Sequence, residues 1–273
     1  MPSKVRSIVI SGNGANCEME MAHACSLAGS DIVDIVHISD IIYGEKRLDD
    51  YHFLNLPGGF LDGDDLGAAQ AGANRFRYAT VKGTGERLLD QLLRFINAGK
   101  LVLGVCNGFQ LMVKLGLLPG FDGDYKRRAV TLTNNDSGRF EDRWVHLESN
   151  GESPCIFTAG LSSLFLPVRH GEGKFITGDE SVLERLQKEA LIVLQYTLPD
   201  RRPTMEYPHN PNGSVNAIAG ICDPTGRVFG LMPHPEAYLH YTNHPCWTRE
   251  ALPEEGQGLA FFRNAVAFVR EHL

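Results

Sequence analysis

Leu101–Gln110, LVLGVCNGFQ, is the stretch that most narrows what this chain can become. An apolar run ends in Gly104-Val105-Cys106-Asn107-Gly108, and an apolar helix-like segment, Phe109–Leu117, follows. This pattern predicts a strand that stops, turns sharply onto a helix and holds one side chain at the apex. Glycines two positions to either side let the backbone close. A cysteine at that apex meets the positive end of the helix dipole, which favours thiolate over a free thiol of pKa about 8.5. The backbone N–H groups that follow point outward, where an oxyanion could be held. A cysteine alone would read as a core side chain. The flanking glycines turn the reading toward chemistry.

A second segment strengthens it. Arg227–Met232 reads as a strand and leads into Pro233-His234-Pro235-Glu236. In an extended backbone residues i and i+2 project from one side, so His234 and Glu236 can face the same site, and the two prolines discourage helix. The histidine can act as general base and acid, with the carboxylate holding its tautomer. Alone, such a pair would be ordinary loop polarity. With Cys106 it makes a Cys–His–Glu nucleophilic site: catalytic Cys106, His234 and Glu236.

Around these motifs strands and helices alternate. Val5–Ser11, Ile32–His37, His52–Leu56 and Leu101–Cys106 are predicted strands, with helices at Glu18–Ala28, Thr84–Ala98 and Phe109–Leu117. Leu88, Leu89, Leu92, Leu93 and Ile96 have the spacing of one buried helical face. From Ala129 to Gly178 the pattern turns strand-rich and polar, before a helix over Ser181–Ala190. Val215–Ile221 and Arg227–Met232 read as a hairpin through Asp223-Pro224-Thr225-Gly226, and Gln257–His272 closes the chain as a helix. The fold class is therefore α/β: a single open, mostly parallel twisted sheet with helices on both faces and an antiparallel excursion, in one domain over 1–273. Sites in such sheets gather at the carboxyl ends of strands, where Cys106 falls.

Composition sets limits. A net charge of −7 with no basic run argues against a nucleic-acid partner. The six cysteines contain no C-x-x-C pair, which suits reduced thiols in a cytoplasm. Met1–Ser11 has no signal-peptide architecture, and no apolar run approaches the roughly 20 residues of a membrane helix. His240 and His244 are four apart, but Pro235, Pro245 and Asn243 break any helix. No cysteine or carboxylate stands at metal spacing, so no metal site is expected. Cys17 and Cys25 read as buried cysteines of a first βα unit. Gly12-x-Gly14 is too short for a dinucleotide fingerprint, and no Walker loop occurs.

These motifs resemble the class I glutamine amidotransferases, whose triad is Cys, His and Glu. Gly104–Gln110 supplies G-x-C-x-G-x-Q, and His234-Pro235-Glu236 follows late in the chain. Pro211-Asn212-Gly213-Ser214 leading to Ile218–Ile221, Asn134–Phe140 (NNDSGRF) and Arg169–Phe175 (RHGEGKF) are similar to the glutaminase subunits of phosphoribosylformylglycinamidine synthase. Gly14–Glu18 is a looser match. The resemblance runs from the first strand to Glu236.

The resemblance implies that Cys106 attacks the side-chain amide of glutamine and that the backbone N–H groups of Gly59 and Asn107 form the oxyanion hole. Gly58, Gln110, Asn135, Ser137 and Phe140 would then contact substrate, and Arg169–Phe175 would be a docking face or ammonia exit. No cofactor is implied for this chain; ATP and Mg would be used by a partner synthetase converting formylglycinamide ribonucleotide to formylglycinamidine ribonucleotide, with a small accessory subunit. Asp62–Thr84 and Tyr238–Gly256 look like added segments whose role is not readable. The competing readings are a glutaminase for another synthetase and a stand-alone cysteine peptidase or γ-glutamyl hydrolase. Related peptidases commonly place histidine directly after the cysteine, where Asn107 stands here. A silent binding module is the third reading, which the intact triad argues against.

Overall fold

Strands that carry no polar alternation must be covered on both faces, and four of this chain's strands are buried at every residue in that way: Phe53–Leu56, Leu101–Val105, Ile218–Cys222 and Val228–Leu231. The computed structural model describes residues 4–273, so the first three residues of the Met1–Ser11 stretch lie outside it. In chain order the strands are β1 (Arg6–Ser11), β2 (Ile32–His37), β3 (Phe53–Leu56), β4 (Leu101–Val105), β5 (Val130–Thr133), β6 (Glu141–Ser149), β7 (Ser163–His170), β8 (Lys174–Thr177), β9 (Ile192–Thr197), β10 (Ile218–Cys222) and β11 (Val228–Leu231). The helices are α1 (Glu18–Leu27), α2 (Ile38–Ile42), α3 (Gln70–Tyr78), α4 (Leu88–Asn97), α5 (Asn107–Leu115), α6 (Glu180–Lys188) and α7 (Leu259–His272).

Nine strands form one sheet in the order β2-β1-β3-β4-β11-β10-β9-β6-β7. From β2 to β11 every neighbour is parallel. From β11 to β7 every neighbour is antiparallel, so the expected excursion continues the main sheet. β5 and β8 pair separately. Helices α1 and α7 pack on each other, while α3, α4 and α5 form a second group, with α5 lying on β3, β4 and β11. Phe261 and Phe262 of α7 join Phe53, Phe157 and Phe229 in a continuous aromatic layer.

The elbow forms as the sequence predicts. β4 stops at Val105, Cys106 adopts φ 51°, ψ −103°, and α5 starts at Asn107. The left-handed residue is the cysteine itself, a strained position for an L side chain. The glycines serve close approach instead. A Cβ on Gly104 would meet the Met112 sulfur and the Gly108 main chain, and one on Gly108 would run into the Leu56 carbonyl.

Several boundaries shift for local reasons. The helix expected from Thr84 starts at Leu88, because Gly83 (φ +89°) and Gly85 (φ +71°) hold a turn closed by a Thr80–Arg87 bridge. The strand expected from Val215 starts at Ile218, since Asn216 and Ala217 are left-handed at φ 50° and 54°. β9, an apolar run ending in Gln195-Tyr196-Thr197, was not anticipated from the sequence. Asp62–Thr84 contains α3, which buries Gly72, Ala73 and Phe76 against the core. Its apolar face is mostly small residues, so it carries a weak helical signal. In Tyr238–Gly256, Tyr238 and His244 pack on Trp144, and His244 also on Phe165. No helix among the described residues is long and apolar enough to cross a membrane.

Two alanine substitutions separate crowding from glycine content. Gly108→Ala should cost about 1–3 kcal/mol, the usual range for overpacking, because the obstructing atoms are backbone. Gly151→Ala should be near neutral, as nothing lies within 4 Å of a Cβ there. Chemical denaturation midpoints of the two variants check this; equal midpoints would remove the packing account of the elbow.

Candidate active site

The sheet order brings the site together. β3, β4 and β11 are adjacent and parallel, so the loops that follow them emerge side by side. These carry Gly58-Gly59, Cys106 and His234 respectively. Cys106 N–H donates to Leu231 O at 2.8 Å, and His234 N–H to Pro167 O at 2.8 Å, which pins both residues from neighbouring strands. A cleft of about 610 Å³ opens over them, lined among others by Cys17, Gly59, Cys106, Gln110, Phe140 and His234. That is the volume range of small-molecule sites.

His234 and Glu236 meet as the i, i+2 spacing suggested, but not through an extended chain. Pro235–Ala237 is a turn of 3-10 helix. The prolines prevent an α-helix and tighten the turn, which still places His234 Nδ1 2.6 Å from Glu236 Oε1. Both side chains are buried, and His234 Nε2 and Glu236 Oε2 have no protein partner among the described residues. Burial disfavours the imidazolium, but the Glu236 charge, the neighbouring Cys106 and Cys17 thiols and the hydrogen bond to Glu236 outweigh it. The pKa of His234 consequently stands well above the ordinary value. Cys106 is buried, with its Sγ donating to Arg169 O at 3.4 Å.

Gly59 adopts φ +131°, and a Cβ on it would crowd the Gly14–Asn16 backbone. Among the described residues, neither the Gly59 nor the Asn107 N–H is taken up by a hydrogen bond. The Asn107 side chain has a role that sequence reasoning missed. Its Oδ1 accepts from Leu61 N–H at 3.0 Å and its Nδ2 donates to Gln110 Oε1 at 3.1 Å, tying the glycine loop to the elbow. Gln110 Nε2 donates to Glu172 O at 2.7 Å, so its amide is engaged with the Arg169–Phe175 segment. Gly58 lies against the histidine: a Cβ there would come within 2.7 Å of His234 Cε1 and 3.2 Å of Cys17 Sγ.

Cys17 is buried in the first βα turn, as expected, and it also reaches the site: its Sγ is 3.9 Å from His234 Nδ1 and lines the cleft. The reason is the Gly14–Glu18 segment, whose Asn16 and Cys17 N–H groups donate to Gly58 O at 3.1 and 3.2 Å. Burial pushes the Cys17 thiol pKa up. Cys25 is buried in the core.

The remaining motifs meet each other. Asn135 Nδ2 donates to His170 O at 2.8 Å and Arg139 O at 2.9 Å, and its Oδ1 accepts from Gly173 N–H at 2.9 Å. Asn212 Nδ2 donates to Tyr196 Oη at 3.1 Å, and Ser214 Oγ accepts from Phe175 N–H at 2.9 Å. Asn135 is buried behind the rim, Ser137 Oγ donates to Glu141 at 2.6 Å, and Phe140 is 56% exposed at the cleft mouth. His170 sits inside this knot, where burial lowers its pKa to about 3 and keeps it neutral. Glu172 accepts from Ala68 N–H at 3.1 Å, anchoring the segment that leads into α3.

Two groups could hold a metal by donor type and distance: Cys17, His234 and Glu236, and His244, Cys246 and Glu250, each with ligand atoms within 4.8 Å of one another. The second corrects the expectation that His244 lacks cysteine and carboxylate partners. The turns around Pro235 and Pro245 bring together what a helix would have separated. His240 Nδ1 is instead 2.8 Å from Thr242 Oγ1.

The chain matches the CobB/CobQ-like glutamine amidotransferase domain over residues 4–269. It is 43% identical over 269 residues to the phosphoribosylformylglycinamidine synthase subunit PurQ of Dehalococcoides mccartyi, covering 98% of this chain and 99% of that one. The same subunit from Methanococcus maripaludis is 43% identical over 272 residues, covering 96% of each. Among solved structures, a chain of PurLQS from Thermotoga maritima superposes with a TM-score of 0.70 at 26% identity, over 97% of this chain and 98% of that one. A putative GMP synthase component from Thermoplasma acidophilum shares the fold, with a TM-score of 0.54 at 15% identity, over 99% of this chain and 96% of that one. The chain belongs to the CobB/CobQ-like glutamine amidotransferases and, within them, to the PurQ subunits of phosphoribosylformylglycinamidine synthase.

The His234–Glu236 pair makes a prediction about pH. In ¹⁵N-histidine NMR, His234 should keep its extra proton to a pH at which an ordinary histidine has lost it. Glu236→Gln removes the charge but leaves the burial, so the pKa of His234 should fall below about 6.5. A raised folded-state pKa contributes stability that is full below pH about 6.5 and is lost as pH rises through the raised value. The wild type should lose that increment on titration and the variant should not. An unchanged His234 titration in the variant would dissociate the two residues.

Proposed function

We propose that this family member hydrolyses glutamine through Cys106, His234 and Glu236, and passes the ammonia to an ATP-using synthetase that converts formylglycinamide ribonucleotide to formylglycinamidine ribonucleotide. The observation that carries the reading is a cysteine on a strained elbow, φ 51°, in one cleft with the buried His234–Glu236 pair. Cys106 thiolate adds to the side-chain amide carbon. The developing oxyanion is held by the Gly59 and Asn107 N–H groups, which have no other partner among the described residues. Protonated His234 gives its proton to the leaving nitrogen, releasing ammonia and leaving a γ-glutamyl thioester. His234 then takes a proton from water, which attacks the thioester to give glutamate and free Cys106. Glu236 orients the ring throughout.

The amino-acid end of glutamine is assigned to the rim that carries Phe140, with Asn135 and Ser137 setting that rim from behind. Gln110 holds Glu172 and Gly58 makes room for the histidine. No cofactor is assigned to this chain; ATP and magnesium are used by the synthetase, and a small accessory subunit completes the assembly. The family's synthase membership and the Thermotoga maritima PurLQS relative support action in a complex. Free thiols at all six cysteines suit a reducing cytoplasm.

The assembled synthase separates the two half-reactions. Cys106→Ser should lower glutamine-dependent synthesis by roughly 10⁴-fold or more, as nucleophile removal does in other hydrolytic triads, and leave ammonia-dependent synthesis largely intact. Equal loss of both, with the complex still formed, would overturn the division of labour.

In the same assay His234→Ala should approach the Cys106 variant, while Glu236→Gln retains more turnover. The carboxylate transfers no proton to substrate, so its removal costs less. A fully active Glu236→Gln enzyme would remove this residue from the triad, and faster cleavage of γ-glutamyl conjugates than of glutamine by the lone chain would favour a stand-alone hydrolase.

A further inference from the structure

The reaction above leaves one thiol of the cleft unused. Cys17 Sγ lies 3.9 Å from His234 Nδ1, and the ligand atoms of Cys17, His234 and Glu236 lie within 4.8 Å of one another, all three residues buried. The space they share is kept by Gly58, where a Cβ would come within 3.2 Å of Cys17 Sγ. A second, independent observation points to a ligand. Glu236 Oε2 is buried without a partner among the described residues, on a side chain 1% exposed. Unpaired buried carboxylate oxygens are costly unless something completes them. Thiolate sulfur, imidazole nitrogen and carboxylate oxygen are the donor types of zinc sites, which with three protein ligands leave one position open. Cys17 and His234 both line the cleft, so solvent can reach that position.

We propose that Cys17, His234 and Glu236 form a binding site for a thiophilic divalent cation, Zn²⁺ being the reference ion, and that its occupation stops glutamine hydrolysis. On binding, the Cys17 S–H bond breaks, an S–Zn bond forms and the proton leaves to solvent. The Nδ1 proton of His234 also leaves to solvent while Nε2 keeps its own, and the freed Nδ1 lone pair becomes a ligand. The Nδ1–H···Oε1 hydrogen bond is then lost, and with it the tautomer that lets His234 act as a base. The thiolate and imidazole select against Mg²⁺, which prefers an all-oxygen octahedron. A magnesium-dependent partner reaction can therefore proceed beside a zinc-sensitive glutaminase. Only the loss of hydrolysis rests on the function proposed above; binding is measured without turnover.

The test uses the full chain carrying Cys106→Ala, so that the nucleophile cannot serve as a ligand. Zn²⁺ is titrated by calorimetry, and Co²⁺ by its thiolate charge-transfer absorption. One ion per chain with a thiolate band is expected, and Mg²⁺ should be silent. Adding Cys17→Ser should weaken binding at least about 100-fold and abolish the band. Cys17→Ala provides the same comparison if the serine variant does not fold, judged by its melting midpoint. In the otherwise wild-type chain, Zn²⁺ should inhibit glutaminase reversibly by chelation, and Cys17→Ser should relieve that inhibition relative to its own metal-free rate. The proposal is overturned if the Cys106→Ala protein binds no Zn²⁺, or if Cys17→Ser leaves affinity and band unchanged. It is also overturned if Cys246→Ser removes the band instead, which would place the ion at His244, Cys246 and Glu250.

Discussion

His234 and Glu236 are joined by a 2.6 Å hydrogen bond between two buried side chains, and the site is built around making that contact tolerable. Burying an ionisable pair is expensive, and such a pair persists only where the geometry is held from several sides. Here the main chain does much of the holding. His234 N–H is fixed on Pro167 O of β7, and the turn of Pro235–Ala237 packs against α1 and α7. Gly258, at the start of α7, lets the helix lie directly on the Pro235 carbonyl, where any Cβ would collide. His234 is thus set by the antiparallel half of the sheet and by the last helix. Cys106 is set by the parallel half. Within the sheet the two halves meet at the β4–β11 pairing, whose register places Val105 beside Leu231.

A division follows between atoms that react and atoms that hold. In the proposed chemistry the reacting set is small: one sulfur, one imidazole, one carboxylate and two main-chain N–H groups. Most of the polar residues around them hold loops. Asn107 links the glycine loop to the elbow, Gln110 links the elbow to Glu172, and Glu172 reaches on to Ala68. These bonds form a chain across the floor of the cleft. Its order matters because a main-chain oxyanion donor has no side chain to adjust, and its aim depends entirely on the loop that carries it. Two donors on different loops need a strut between them. The Asn107 side chain is that strut.

The meeting of Cys106, His234 and Glu236 and the parallel core were legible in the sequence because both are written in local pattern. The elbow is a five-residue signal, the apolar strands cannot face water, and His-x-Glu is two positions wide. The antiparallel excursion was visible as a change of pattern; β9 was missed although Pro199-Asp200 mark its end, and α3 lies in a segment whose buried face is mostly small residues. The Thr84–Arg87 boundary failed because glycines at positive φ override helix periodicity there.

Non-local neighbours were the part that could not be read. Cys17 stands in a βα turn, as its surroundings suggested, and nothing within ten residues of it hints at His234. The contact exists because β1 and β4 flank β3, so the loops after β1 and β3 hydrogen-bond across Gly58, and β11 then delivers the histidine beside them. The same holds for Asn135, Ser137 and Gln110. The family resemblance implied substrate contacts for them, yet Asn135 and Gln110 are buried among main-chain groups that they satisfy, and the exposed Ser137 is bonded to Glu141. Sequence spacing identifies which side chains are chemically capable. Sheet order decides which of them share a cleft, and the demand to pair every buried polar atom decides which of those remain free to touch a substrate.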